Sequence, residues 1–151
     1  MIGRVRGAVE IAAAVDEVFA YLDDPENSLA LVPQLVEVKN VERLPNGGHR
    51  IEFVTVGRRG TLCEWVSEHV ERVPNDLVVV RARTEGVTTT ATRRFEPTAV
   101  GTRLVGEVAY EIELPWPQRA LVPVMLLQWR RPARKHLGAL LATVKARVEG
   151  R

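Results

Sequence analysis

The chain has a single cysteine, few aromatic residues and no long apolar run. One cysteine, Cys63, excludes an internal disulfide. The longest apolar stretch, residues 121–127, contains Pro123 and is far shorter than the ~20 residues that a membrane span requires. The N-terminus carries charge with no apolar block behind it, which is unlike a signal peptide. We therefore expect a cytoplasmic protein.

Motifs that hold a metal, a phosphate or a nucleophile are also missing. The sequence has no glycine-rich phosphate loop, no His-Glu-x-x-His helix and no cysteine pair, and Ser28 and Ser67 lie in no nucleophile motif. Cys63 and His69 share one predicted strand, six residues apart, which is about 20 Å and too far for a thiolate–imidazole pair. We expect no metal and no cofactor, and we interpret Cys63 as a small core residue.

Acidic residues are almost missing from the last quarter of the chain. Residues 1–113 hold 13 Lys and Arg against 18 Asp and Glu, whereas residues 114–151 hold 8 against Glu149 alone. The net charge of +2 therefore hides a mildly acidic body and a basic C-terminal segment. A solvated helix face accounts for this pattern, and so does a surface for weak contact with anionic lipid or an acidic partner. Nucleic acid is not expected, because no stacking aromatics are interleaved with the basic residues.

What is present is an ordered series of secondary-structure patterns. Residues 4–12 alternate loosely and predict a strand, and helical spacing follows from Val15 until Pro25, which can begin a second short helix that Pro33 ends. Six further alternating segments, separated by Gly, Pro and Asn turns, predict an antiparallel meander. They lie at about 35–44, 49–57, 61–73, 77–85, 88–97 and 101–113.

The chain closes on an apolar stripe with spacings of three and four residues. This stripe predicts a long helix from about Pro117 to Val148, which Pro132 should kink or divide. Trp116, between two prolines, is expected to cap the junction of strand and helix. Because no repeat or linker interrupts the series, we expect one domain over residues 1–151.

The turn at residues 57–60 predicts which side chains share a face of the sheet. Pairing Phe53 with Trp65 collects apolar side chains on one face and places Arg50 opposite Glu68 on the other, whereas a one-residue slip mixes the two sets. The inner face of this hairpin is then Ile51, Phe53, Cys63, Trp65, Ser67 and His69. Continued across the sheet, the alternation places inside Val78, Val80, Ala82, Ala91, Arg93, Phe95, Leu104, Gly106, Val108, Tyr110 and Ile112.

One row of this inner face is polar. His49, His69, Val80, Arg93 and Gly106 are expected to lie roughly side by side. An inward Arg93 cannot lose its charge and needs a partner, for which Gly106 leaves room. Three interpretations stay open: the register is in error by one residue, Arg93 reaches solvent at the rim, or Arg93 anchors a ligand carboxylate, phosphate or enolate oxygen.

Two motifs carry a resemblance to a known family. The stretch Val15–Asn27, VDEVFAYLDDPEN, resembles the opening of the polyketide cyclase / START-like helix-grip superfamily of SRPBCC-type ligand-binding domains, and residues 95–104 resemble its penultimate turn. The chain departs from many members at residues 31–33, Leu-Val-Pro, where they place a tryptophan.

The resemblance implies an α+β helix-grip fold. In that fold a curved seven-stranded antiparallel sheet wraps around a long C-terminal helix, two short helices follow strand 1, and a cavity separates sheet and helix. The family includes cyclases and dehydratases, lipid and sterol carriers, hormone receptors and ubiquinone-binding proteins. It therefore implies the fold more specifically than the function, and no catalytic residue is carried over.

From these observations we expect binding or transfer of an apolar small molecule, such as a lipid, isoprenoid or polyketide, between the sheet and the last helix. The alternative is a polyketide cyclase or dehydratase that uses His69 or Tyr110 as the acid–base group, with Arg93 stabilising an enolate. The oligomeric state is left open. The residues expected to bind the ligand are Ile51, Phe53, Trp65, His69, Val80, Arg93, Phe95, Val108, Tyr110, Met125 and Trp129.

Overall fold

In a computed structural model, which describes residues 2–151, a seven-stranded antiparallel sheet wraps around one long helix. The strands are β1 (Ile2–Ile11), β2 (Leu35–Arg43), β3 (His49–Val56), β4 (Leu62–Val73), β5 (Leu77–Thr84), β6 (Val87–Thr98) and β7 (Gly101–Ile112). The helices are α1 (Val15–Asp23), α2 (Pro25–Leu29) and α3 (Val122–Glu149), with 3-10 turns at Arg58–Gly60 and Gln118–Leu121. The predicted α+β helix-grip architecture is confirmed, including the two short helices after the first strand.

The order of strands across the sheet is β1-β7-β6-β5-β4-β3-β2. The chain leaves β1 at one edge, passes through α1 and α2 to the other edge, and returns strand by strand until β7 pairs with β1. Each step of the return is a short turn between neighbouring antiparallel strands, as the spacing of Gly, Pro and Asn predicts. The last helix, α3, then packs mainly on β1.

The predicted register of the β3–β4 hairpin is confirmed. Phe53 pairs with Trp65 and Arg50 pairs with Glu68. The apolar pair faces α3 and the charged pair faces outward, since Phe53 is buried and Glu68 is exposed. Sorting of apolar and charged side chains to opposite faces therefore determines this pairing.

The predicted polar row is wrong at one step, because Val80 and Arg93 do not lie side by side. His69 does pair with Val80, and Arg93 pairs with Gly106, but Val80 lies opposite Ala91 and Arg93 lies opposite Val78. The β5–β6 turn has only two residues between Thr84 and Val87, and its Gly86 adopts a φ of 75°. This tight turn sets a register two residues away from the predicted one, so Arg93 lies one inward position away from the row of His69.

The long helix α3 begins later than predicted and is not divided. A 3-10 turn occupies Gln118–Leu121, and α3 then runs unbroken through Pro132. Pro132 removes the hydrogen bond to the carbonyl of Gln128, and both residues lie on the exposed side, where water can bind that carbonyl. The short helix α2 ends at Leu29, before Pro33.

The most deeply buried part of the core joins α1, α3 and the β1–β7 side of the sheet. Its fully buried side chains include Ile11, Val18, Leu104 and Val144. Gly7 and Gly106 pair across β1 and β7 beneath α3. A Cβ atom on Gly106 would lie 3.1 Å from Leu137 Cδ1, and one on Gly7 would lie 3.2 Å from Leu141 Cδ1. The glycine pair therefore lets α3 approach the sheet closely.

A bidentate ion pair connects α1 to β4. Arg72 Nε and Nη2 donate to the two carboxylate oxygens of Asp23, at 2.9 and 2.8 Å. The guanidinium also lies 5.3 Å from the centroid of the Phe19 ring. These contacts lower the pKa of Asp23, chiefly through the hydrogen bonds from Arg72.

Candidate ligand-binding cavity

A cavity of about 550 Å³ lies between the sheet and the middle of α3. Short inner-face side chains line it on the sheet side: Ala82, Thr89, Ala91 and Gly106. On the helix side it is lined by Ala133, Leu137, Leu140 and Leu141, and a third wall is the segment after α2, Leu31 to Gln34. The space exists because the middle of the sheet supplies only short side chains opposite the leucines of α3, and its volume is typical of small-molecule sites.

One end of the cavity is an aromatic wall built by the β3–β4 hairpin. The rings of Phe53 and Trp65 stack with centroids 6.3 Å apart and planes inclined by 7°. The indole Nε1 of Trp65 donates to Thr55 Oγ1 at 3.1 Å. Because this bond satisfies the polar atom of the indole, the wall presents an apolar surface with a fixed orientation.

Arg93 contributes the charge of the cavity. It projects from β6 beside Gly106, lines the cavity and is half-buried. Among residues 2–151, no carboxylate lies within 4.0 Å of its guanidinium and no hydrogen bond to it occurs. Desolvation by burial lowers the pKa of Arg93. The side chain stays cationic, because a guanidinium is too basic to lose its proton in a protein, so it is a donor for an anionic oxygen.

The remaining polar groups of the cavity are weaker candidates. Thr89 Oγ1 already donates to the carbonyl of Ala82, at 3.5 Å. Glu107 accepts from Arg4 Nη1 at 3.2 Å. His136 lines the cavity from α3 and is exposed. Arg93 is therefore the one lining group, within the described part of the chain, that combines charge with burial and lacks a protein partner.

Four of the eleven residues expected to bind a ligand line this cavity: Phe53, Trp65, Arg93 and Val108. The other seven lie elsewhere in the molecule. Ile51 and Phe95 are core residues, and Phe95 packs edge to face on Phe19 with centroids 5.3 Å apart. Val80 and Trp129 are partly buried at the margin of the core, and Met125 is half-buried on the first turn of α3.

The two predicted acid–base groups also lie outside the cavity lining. His69 Nδ1 accepts from the backbone N–H of His49 at 2.9 Å, and burial lowers the pKa of His69. Tyr110 is buried against Trp129, with ring centroids 6.4 Å apart, and its hydroxyl has no hydrogen-bond partner among the described residues. Neither group lines the cavity.

Sequence reasoning placed most of the small residues that create the space on the inner face but did not predict them as ligand contacts. The predicted inner-face alternation already contains Ala82, Ala91 and Gly106, and their small size is the available signal. The wall formed by Leu31 to Gln34 includes the three residues at which the chain departs from many members of the family, and that departure was the available signal. The expectation that Trp116 caps a junction is wrong, because its side chain is 79% exposed.

The described residues form neither a metal-binding cluster nor a membrane-spanning helix. No group of three or more His, Cys, Asp or Glu side chains within residues 2–151 is arranged to hold a metal ion. No helix in the same range has the length and apolar character needed to cross a bilayer.

Fold and cavity together define a helix-grip ligand-binding domain. The chain belongs to the family described as polyketide cyclase / dehydrase and lipid transport, which matches residues 3–149. No protein with a curated description matches the sequence.

Solved structures show the same fold at low sequence identity. The Zhui aromatase/cyclase from a Streptomyces species is 18% identical, with a TM-score of 0.71, covering 98% of this chain and 96% of that one. A START superfamily protein from Mycobacterium smegmatis is 17% identical, with a TM-score of 0.68 and 98% of both chains covered. The di-domain aromatase/cyclase StfQ of steffimycin biosynthesis is 20% identical, with a TM-score of 0.71, and 99% of this chain covers 49% of it.

Proposed function

We propose that this chain acts as one domain over residues 1–151 that binds an apolar small molecule carrying one anionic or strongly accepting oxygen. The observation that carries the proposal is the unpaired Arg93 guanidinium in a cavity with otherwise largely apolar walls. The apolar body of the ligand contacts Phe53, Trp65 and the leucines of α3, which supplies most of the affinity. Arg93 binds the oxygen and so determines the orientation of the ligand.

Binding rather than chemistry is proposed because both predicted acid–base groups lie outside the cavity lining, and His136, the imidazole that does line it, is exposed. A cyclase or dehydratase needs a proton donor or acceptor within hydrogen-bonding reach of its substrate. His69 and Tyr110, the candidates for that role, do not line the cavity. The similarity to aromatase/cyclases still makes a polyketide a ligand class worth testing beside fatty acids.

The test compares a fatty acid with its methyl ester, which differ in charge and hardly in shape. Titration calorimetry of the unmodified protein should show tighter binding of the acid. Arg93→Met should reduce the affinity for the acid by about tenfold or more, the usual effect of losing a charged hydrogen bond, and leave the ester unaffected. The matched control is Arg94→Met, because Arg94 is exposed on the outer face of the same strand.

Two outcomes would contradict different parts of the proposal. Failure of the unmodified protein to bind the acid, the ester or an aromatic polyketide would reject ligand binding in the cavity. Binding with the same preference for the acid in Arg93→Met would keep the cavity function and reject the role of Arg93.

A further inference from the structure

Large apolar side chains are exposed at the N-terminal end of α3. Trp116, Leu121, Val124 and Leu127 are 79%, 58%, 52% and 73% exposed. They lie in the 3-10 turn, in the segment before it and on the first two turns of α3. We call these four residues the apolar tip. Exposed apolar residues clustered in one short segment are more informative than scattered ones, because such clusters often mark a surface that contacts another phase or molecule.

A group of cations follows the apolar tip along the helix. Arg130, Arg131, Arg134 and Lys135 are all exposed, and we call them the basic collar. None of them takes part in an ion pair among residues 2–151, and the sequence has no acidic residue between Glu113 and Glu149. At about 1.5 Å per residue, the collar lies roughly 5 to 12 Å further along the axis than Leu127.

The tip lies at a defined end of the molecule. The C-terminal end of α3 is held at the end of β1, where Glu149 accepts from the N–H of Ala12 at 2.8 Å and Lys145 donates to the carbonyl of Glu10 at 2.7 Å. The N-terminal end of α3 therefore points toward the start of β1, which pairs with the end of β7. The strand pairings place the β3–β4 turn at this same end. Val56 and Gly57, beside that turn, line the cavity.

We propose that the apolar tip and the basic collar form a docking surface for an anionic lipid bilayer. An amphipathic element at such a surface inserts its apolar side chains about 5 to 10 Å into the headgroup and acyl boundary, with tryptophan at the headgroup level. With the tip inserted, the collar lies at the depth of the lipid phosphates. Apart from Arg119, which is exposed within the tip, the axial order is apolar first and cationic behind, as in the layers of a bilayer. A protein partner would instead need a complementary concave surface.

The test uses the ligand-free protein and vesicles. Co-sedimentation with vesicles of phosphatidylcholine alone is compared with vesicles that also contain phosphatidylglycerol, at low and high salt. We expect binding to the anionic vesicles only, and steep weakening with salt. Replacing Arg130, Arg131 and Arg134 by Gln should weaken the partition constant on the order of a hundredfold. The matched control replaces Arg81, Arg94 and Arg103 by Gln, which removes the same charge from exposed positions on the sheet.

A second pair of variants tests the apolar tip. Val124→Ser with Leu127→Ser should weaken anionic-vesicle binding about tenfold or more. The control is Val73→Ser, at the end of β4, with Val100→Ser, in the β6–β7 turn; both positions are exposed at the opposite end of the molecule, and this pair should have little effect. Absent binding, equal binding to neutral vesicles, or equal effects of tip and control variants would each overturn the proposal. So would sedimentation showing a dimer that the tip variant dissociates, because the tip would then contact a second copy.

Discussion

The inner face of the sheet has two halves that pack differently against the helices. On the half formed by β1, the end of β6 and the start of β7, large side chains such as Ile11, Phe95 and Leu104 are fully or nearly fully buried. On the half formed by β3, β4, β5 and the start of β6, Ala82, Thr89 and Ala91 line a cavity of about 550 Å³. Both halves follow the same alternation, and the cavity lies where inward side chains in the middle of the sheet are short.

The position of α3 explains why the short side chains leave a space unfilled. Gly7 and Gly106 let the helix approach β1 and β7, where Leu137 and Leu141 meet the sheet. With α3 seated there, its distance from β4, β5 and β6 is fixed by the rest of the core. Ala82 and Ala91 are too short to cross that distance, and collapse of the helix onto them would require disrupting the packed half.

The largest expected effect comes from removing three side-chain carbons in the packed half, compared with removing the same three carbons beside the cavity. Leu104→Ala creates a new cavity in the packed half, because Leu104 is 0% exposed. It should lower the free energy of unfolding by about 2 to 5 kcal/mol. Leu140→Ala enlarges a space that already exists beside a half-buried side chain, and should cost on the order of 1 kcal/mol. Urea denaturation of both variants measures the difference, and equal losses would contradict it.

The ion pair between Asp23 and Arg72 provides the next largest effect, since it holds α1 over the packed half. Asp23→Asn should lower the free energy of unfolding by about 1.5 to 3 kcal/mol, the usual cost of losing charged hydrogen bonds. Glu17→Gln, an exposed acid of the same helix, is the control. Because Arg72 lowers the pKa of Asp23, this contribution is present above the ordinary value of 3.8 and is lost as pH falls through the lowered pKa. Urea titrations of the three proteins at neutral and acidic pH measure both effects.

A larger side chain placed in the cavity tests whether the ligand occupies it. Ala91→Leu adds three carbons to a side chain that lines the cavity. We expect at least about tenfold weaker binding of a fatty acid, because the ligand and the new side chain compete for the same volume. Stability should stay within about 1 kcal/mol of the unmodified protein, since no packed contact is displaced. Titration calorimetry and urea denaturation give the two readouts.

The control for this filling experiment is Ala109→Leu. Ala109 pairs with Thr90, one position along from the pair of Ala91 and Val108, and so belongs to the outer face of the sheet. The same added volume there should leave ligand affinity unchanged. If both variants bind the fatty acid as tightly as the unmodified protein, the ligand does not occupy the cavity.

The size of the inward side chains also explains how much of the fold and of the cavity the sequence could predict. Alternation and turn residues were sufficient for the seven strands, the two short helices and the Phe53–Trp65 register, because these depend on local patterns and on sorting to two faces. The cavity was located less well. Choosing large inward side chains such as Phe95 and Tyr110 selected packed core, whereas the space lies beside alanines and glycine, which attract no notice as ligand contacts. The shift of Arg93 depended on the length of one two-residue turn.

The smallest expected effect concerns His69, which lies on β4 in the cavity half but outside the cavity lining. Burial lowers the pKa of His69 below its ordinary value of 6.5, and the positive charge of Arg93 acts in the same direction. The charge of Asp23 opposes this lowering, and so does the carbonyl oxygen of His49, 3.0 Å from Nδ1, to which the protonated ring can donate. The unfolded chain therefore binds a proton first as pH falls. The stability contributed by neutral His69 is complete above pH 6.5 and declines as pH falls toward the lowered pKa of the folded state.

His69→Asn isolates this contribution, because the amide oxygen can replace Nδ1 as the acceptor for the His49 N–H but does not titrate. Urea denaturation between about pH 7 and pH 5 should show a shallower loss of stability in the variant than in the unmodified protein. Parallel slopes would mean that His69 takes up its proton as readily in the folded protein as in the unfolded chain. In that case burial of His69 does not lower its pKa, and the protonated imidazole costs the folded protein no stability.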